Sequence, residues 1–131
     1  MTLTAPGTVG WFDLTVADAP GIRDFYAAVA GWQPSPVDMD DYEDYNMNLP
    51  WSGRPIAGVC HALGENAAVP PAWVIYITVE DLAAASSKAL SLGATAITPL
   101  PLPEGWNAGA YQVLRDPAGA PFALYQPAPP E

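Results

Sequence analysis

Few side chains in this sequence have the chemistry to act on a small molecule: one thiol, one imidazole, one carboxylate set in a strand, an acidic run and a group of large aromatics. His61 is the sole histidine and so the one side chain that ordinarily titrates near neutrality. Cys60 precedes it, but neighbours on a strand point to opposite faces, which argues against a Cys–His pair. Cys60 is expected to face the apolar core. Asp13 lies in an alternating stretch beside Trp11 and Phe12, and a carboxylate there needs a partner or solvent. Two readings are open: an acid hydrogen-bonded to Tyr76 or to backbone, or a ligand anchor or general base with a raised pKa. The run 38–44, DMDDYED, holds five carboxylates. It lacks the glycine and the closing glutamate of a calcium loop, the latter position falling on Leu49, so a solvated acidic loop is expected. Trp11, Tyr76, Trp106, Tyr111 and Tyr125 together could line a flat, stacking pocket, whereas Trp51 and Trp73, near turns, suit an oligomer contact. No Ser–His–Asp order, phosphate-binding glycine loop or CxxC motif occurs.

The elements that must position these residues come from an internal repeat. Trp73–Leu100 reads strand, acidic turn, helix, glycine stop, strand, and Trp11–Val37 reads the same way. Thr15-Val16-Ala17-Asp18 matches Thr78-Val79-Glu80-Asp81, and Gly31 and Gly93 end the two helices. Asp18 and Asp81 are expected N-caps, with Pro20 in the first turn of the first helix. Phe12, Leu14 and Val16 should face that helix, and Ile75, Ile77 and Val79 the second. Ile22, Phe25, Tyr26 and Val29 form the predicted core stripe of one helix; Leu82, Ala85, Ala89 and Leu92 form that of the other. Further strands are predicted at 32–37 (an edge, given Pro34 and Pro36), 45–49, 55–63, 94–98, 111–115 and 121–126. The last two flank the turn Asp116-Pro117-Ala118-Gly119. Each half thus reads βαβββ. The expected fold is α/β in the α+β sense: one domain over 1–131, made of modules 8–63 and 72–127. Together these form a curved mixed sheet around a cleft, with helices outside.

Composition narrows the partners. Four basic residues against fourteen acidic ones give a net charge of −10, which repels phosphate backbones and anionic membranes. A single cysteine forms no intrachain disulfide. No apolar run has membrane-span length, and the opening MTLTAPGTVGW lacks the charged and apolar regions of a secretory leader. A cytoplasmic protein is expected.

The ordered set Phe12-Asp13-Leu14-Thr15-Val16-x-Asp18, Asp24-Phe25-Tyr26, Gly31-Trp32, Arg54-Pro55-Ile56-Ala57-Gly58, Pro71-Ala72-Trp73 and Asp116-Pro117-x-Gly119-x-x-Phe122-x-Leu124-Tyr125-Gln126 resembles the vicinal oxygen chelate superfamily. That superfamily holds glyoxalase I, extradiol dioxygenases, and fosfomycin- and bleomycin-resistance proteins. GRPIAG and PPAWVIYITVEDL are most similar to glyoxalase-like proteins of actinobacterial type. The resemblance implies a divalent ion held by His or Glu on the first and last strands of each half. Those positions fall on Trp11, Val74, Ala123 and a residue within 57–61, where His61 is the one possible ligand. An indole, an isopropyl and a methyl do not coordinate a cation.

The resemblance and the residues together lead us to expect a metal-free small-molecule binder, of the sequestering or resistance type, with no cofactor. Trp11, Tyr76, Trp106, Tyr111 and Tyr125 would supply aromatic contacts, and Asp13 and His61 polar anchors. One alternative is a glyoxalase-like lyase or isomerase, or a dioxygenase, using a displaced metal site or an Asp13/His61 acid–base pair. Another is a dimeric interaction module without a ligand. Superfamily resemblance also implies a homodimer.

Overall fold

The computed structural model describes residues 5–101 and 109–129. In chain order the elements are β1 (Val9–Val16), α1 (Ala19–Ala30), β2 (Gln33–Asp38), β3 (Glu43–Asn48), β4 (Pro55–His61), β5 (Trp73–Thr78), α2 (Leu82–Ser91), β6 (Thr95–Ala96), β7 (Ala110–Arg115) and β8 (Pro121–Gln126). This is a mixed α+β fold in which βαβββ occurs twice. The chain divides into two compact units, Trp11–Trp73 and Val74–Glu131 with Met1–Gly10.

In the unit 11–73 the strand order is β2-β3-β4-β1, with β1 parallel to β4 and the other neighbours antiparallel. Asp18 caps α1 by accepting the Gly21 N–H at 3.0 Å, and Gly31 ends it in the left-handed region, φ 74. The core beneath α1 is Ala19, Tyr45, Met47, Ala57 and Val59, with Val16, Ile22, Tyr26, Trp32 and Trp73 packed against it. The proline-bearing strand β2 is at the edge, where missing N–H groups leave no gap in a ladder. Two expectations fail here. Phe25 and Val29 are not in the core; they are 52% and 68% exposed, because the line of α1 that meets the sheet runs through Ala19, Ile22 and Tyr26. The acidic run is not wholly solvated either: β3 begins at Glu43, and Asp44 is buried.

The second unit has the order β5-β8-β7-β6, with β5 parallel to β8 and β7 antiparallel to both its neighbours. The lead-in is tied down in this unit, since Gly7 N–H donates to the Thr78 carbonyl and Thr78 N–H to that of Thr8, both at 2.8 Å. Asp81 caps α2 through the Ala84 N–H at 3.0 Å. Leu82, Ala94, Ala110, Leu114 and Leu124 form the core, joined by Ile77, Val79, Ala85, Ala89 and Phe122. Leu92 is exposed, not part of the α2 stripe; Ser86 takes an inward place instead. Its hydroxyl donates to Gln112 Oε1 at 2.6 Å, and Gln112 Nε2 donates to the Thr98 carbonyl at 3.1 Å. A buried hydroxyl is tolerable there because it is hydrogen-bonded. No helix among the described residues is long and apolar enough to cross a membrane.

Candidate functional site

Register decides which side chains share a face. The parallel pair β1–β4 aligns Asp13 with Gly58, Leu14 with Val59, Thr15 with Cys60 and Val16 with His61. Residues aligned this way point to the same side, and Val59 and Val16 pack toward α1. The face opposite α1 therefore carries Asp13, Thr15, Gly58 and Cys60, and Asn46 joins it as the β3 partner of Gly58. Cys60 does not face the apolar core as expected, because Ala57 and Val59 take the inward positions of β4. Asp13 and His61 occupy opposite-face register positions, so the strand does not assemble them into an acid–base pair.

Trp11 Nε1 donates to Asp13 Oδ1 at 2.6 Å, a short charge-assisted bond between side chains two apart on the same face. Gly58 makes the arrangement possible. A Cβ at that position would overlap Asp13 Oδ1 and come 3.3 Å from Trp11 Nε1, so the carboxylate lies over bare backbone. Asp13 thus has the Trp11 indole as a partner, as a carboxylate set among aromatics requires.

Cys60 lies between two acids. Burial first, and then the negative charges of Asp13 and Asp44, push its thiol well above the usual range. It is held neutral at physiological pH, and a neutral thiol is a poor nucleophile. Asp44, also buried, accepts the His61 backbone N–H at 2.8 Å, and His61 Nδ1 lies 3.3 Å from the same oxygen. The Tyr42 ring meets the imidazole edge-on with centroids 5.3 Å apart. Nearby, the Arg23 guanidinium lies 4.7 Å above the Tyr45 ring. His61 thus belongs with Asp44 at the end of β4. Sequence reasoning missed Asp44 and Gly58 and put Cys60 on the wrong face. Only the glycine carried a signal, as a lone glycine in a strand often marks a close approach.

The second unit gathers a different set. Tyr111 is paired with Tyr125, and Thr78 with Tyr125, so Tyr76, Tyr111 and Tyr125 share the face opposite α2 with Val74 and Ala123. The Tyr76 and Tyr111 rings are tilted at 50° with centroids 5.6 Å apart. Gly109, at φ 93, leaves room for the Tyr125 hydroxyl, which a Cβ there would approach to 2.8 Å. Trp106 falls outside the described residues.

Register also bears on the metal-ligand position left open within 57–61. Asp13–Gly58 in the first unit holds the place that Tyr76–Ala123 holds in the second. By the repeat, the residue within 57–61 that matches Ala123 is Gly58. Trp11 and Gly58 in one unit, and Val74 and Ala123 in the other, present no lone pair to a divalent ion. These residues do not fit the superfamily's metal. Among the described residues, no three His, Cys, Asp or Glu side chains come together as a metal site.

The fold and its repeated register define a member of the vicinal oxygen chelate, or glyoxalase/bleomycin resistance/dioxygenase, superfamily. A structure of a superfamily member from Vibrio splendidus aligns with a TM-score of 0.56 at 14% identity, over 88% of this chain and 95% of that one. A variant of methylmalonyl-CoA epimerase from Streptomyces coelicolor, in complex with 2-nitronate-propionyl-CoA, aligns with a TM-score of 0.59 at 15% identity, over 97% and 99%. The family model described as a glyoxalase-like domain matches residues 11–125, and the chain belongs to that family. The anthracycline biosynthesis protein DnrV of Streptomyces peucetius is 32% identical over 122 residues, which make up 92% of this chain and 42% of that protein. The chain thus spans less than half the length of that curated relative.

Proposed function

We propose that this domain is a metal-independent small-molecule binder whose ligand is flat and cationic. The observation that carries the reading is the Trp11–Asp13 hydrogen bond laid over Gly58, with Trp11 and Gly58 at positions where the resemblance implies metal ligands. An indole offers a stacking face and a cation–π surface, and the adjacent carboxylate anchors an ammonium. Tyr76, Tyr111 and Tyr125 supply further aromatic surface in the second unit, and Trp106 belongs to the proposed set by sequence. A net charge of −10 favours cations over anions at the encounter stage. One relative lends support in kind, being named for anthracycline biosynthesis. The protein acts in the cytoplasm, without a cofactor, as a homodimer.

Titration of tryptophan fluorescence with an anthracycline, on protein stripped with a chelator, tests the reading. Saturable quenching is expected, weakening severalfold between low and physiological salt as charges are screened. Quenching that appears only after a divalent metal is restored would refute it.

A second reading rests on His61 and Asp44. The carboxylate 3.3 Å from Nδ1 can fix the imidazole with Nε2 as the free base, the arrangement of an acid–base enzyme. It replaces the Asp13/His61 pair expected from sequence. A turnover assay on carbonyl substrates, with activity lost in His61→Gln and retained in Asp13→Asn, would favour it over the binder.

A further inference from the structure

Asn46 lies in the interior strand β3, directly opposite Gly58, and Gly58 is aligned on its other side with Asp13. Tyr45 and Met47, its neighbours in the chain, are in the core beneath α1. Asn46 therefore points the other way, to the face that carries Trp11 and Asp13. Asparagine is disfavoured in strands, and its side chain tends to bond nearby backbone or polar groups. Asn48 does so: its Nδ2 donates to the Gln33 carbonyl at 2.8 Å and to the Ser35 hydroxyl at 3.0 Å. Among the described residues, the half-buried Asn46 carboxamide makes no hydrogen bond.

Gly58 sets the distance across this row. Opposed residues on antiparallel strands hold their Cβ positions about 4.5–5.5 Å apart. Asp13 Oδ1 lies where a Gly58 Cβ would be, so the carboxylate leans toward Asn46 and stops about 5 Å from its Cβ. Both groups can reach adjacent atoms of one ligand. The carboxylate only accepts, and so takes the ammonium. The carboxamide donates and accepts, which matches a hydroxyl, itself donor and acceptor. A plain alkyl amine would leave the carboxamide against hydrocarbon and strip its hydration.

We infer that Asn46 is a specificity-determining residue and that the ligand is an aromatic amino alcohol, its ammonium on Asp13 and the hydroxyl of the neighbouring carbon on Asn46. The inference rests on the binder reading and narrows its ligand class. Isothermal titration with two amines that differ by that hydroxyl, phenethylamine and phenylethanolamine, tests it. Wild type is expected to bind phenylethanolamine about 3- to 10-fold more tightly, the factor one neutral hydrogen bond supplies. Asn46→Leu, close in size, and Asn46→Ala should each bring the two affinities within about twofold of each other, with circular dichroism confirming the fold. Asp13→Asn should weaken both amines and keep their ratio. Equal binding of the two amines by wild type, or a preference that survives both Asn46 substitutions, would overturn the role of Asn46 and leave the Trp11–Asp13 reading in place. Binding of neither amine would overturn both.

Discussion

Replacing Gly58 with alanine is the sharpest perturbation of the polar face. The backbone there is not in the left-handed region, so the change acts through space and not through φ. The new methyl would overlap Asp13 Oδ1 and crowd Trp11 Nε1 at 3.3 Å, forcing the carboxylate off its indole donor. A hydrogen bond to a charged group contributes about 1.5–3 kcal/mol. Against this, the loss of glycine's unfolded-state freedom returns about 0.4–1 kcal/mol. The net destabilisation is about 1–2 kcal/mol, or a melting temperature lower by about 3–8 °C for a domain of this size. Urea denaturation followed by circular dichroism measures it directly. In an Asp13→Ala background only the Trp11 indole, at 3.3 Å, still crowds the methyl and it can give way, so Gly58→Ala should cost little, a coupling of about 1–2 kcal/mol. An equal penalty in both backgrounds, or a Gly58→Ala protein more stable than wild type, would refute the packing argument.

Two other outcomes follow from the same face. The Cys60 thiol is kept neutral in the folded chain by burial first and then by Asp13 and Asp44, so its folded pKa lies above the unfolded one. Its stabilising effect is complete below the thiol's ordinary value of about 8.5 and declines above it by up to about 1.4 kcal/mol per pH unit. Wild type should therefore lose more stability than Cys60→Ala between pH 8 and 10 in urea melts; parallel losses would contradict this. Asp44→Ala strips a buried acceptor from the His61 N–H and ring, and should lower stability by about 1–3 kcal/mol, with Asp44→Asn restoring part of it. Equal stability of Asp44→Ala and wild type would mean that the pair is not formed.

The repeat made the fold legible. Matching turns at Asp18 and Asp81 marked both helix starts, and alternation on β1 and β5 put the correct sides toward the helices. Helix faces were harder to read. Periodicity gave α1 a stripe of four, but a short helix on a four-stranded sheet buries only the residues directly above it, and Phe25 and Val29 lie off that line. The site was legible in its first member and not in its others. Asp13 stood out as an acid amid aromatics, whereas Asp44 was hidden in an acidic run and reaches His61 only because β3 pairs with β4. Cys60 was assigned the wrong side because the phase of β4 depends on its pairing with β1. A shift of one residue exchanges the two faces of a strand.

On the proposed reading, Asp13 and Trp11 do by hydrogen bonding and stacking what relatives do with an ion. Isothermal titration of an anthracycline into chelator-treated wild type and Asp13→Asn, each repeated with added divalent metal, measures this most directly. The wild-type affinity should be the same with and without metal, and Asp13→Asn should weaken it by about 10-fold or more, the equivalent of one charge-assisted hydrogen bond. Binding that needs the metal, or an Asp13→Asn protein that binds as wild type does, would contradict it.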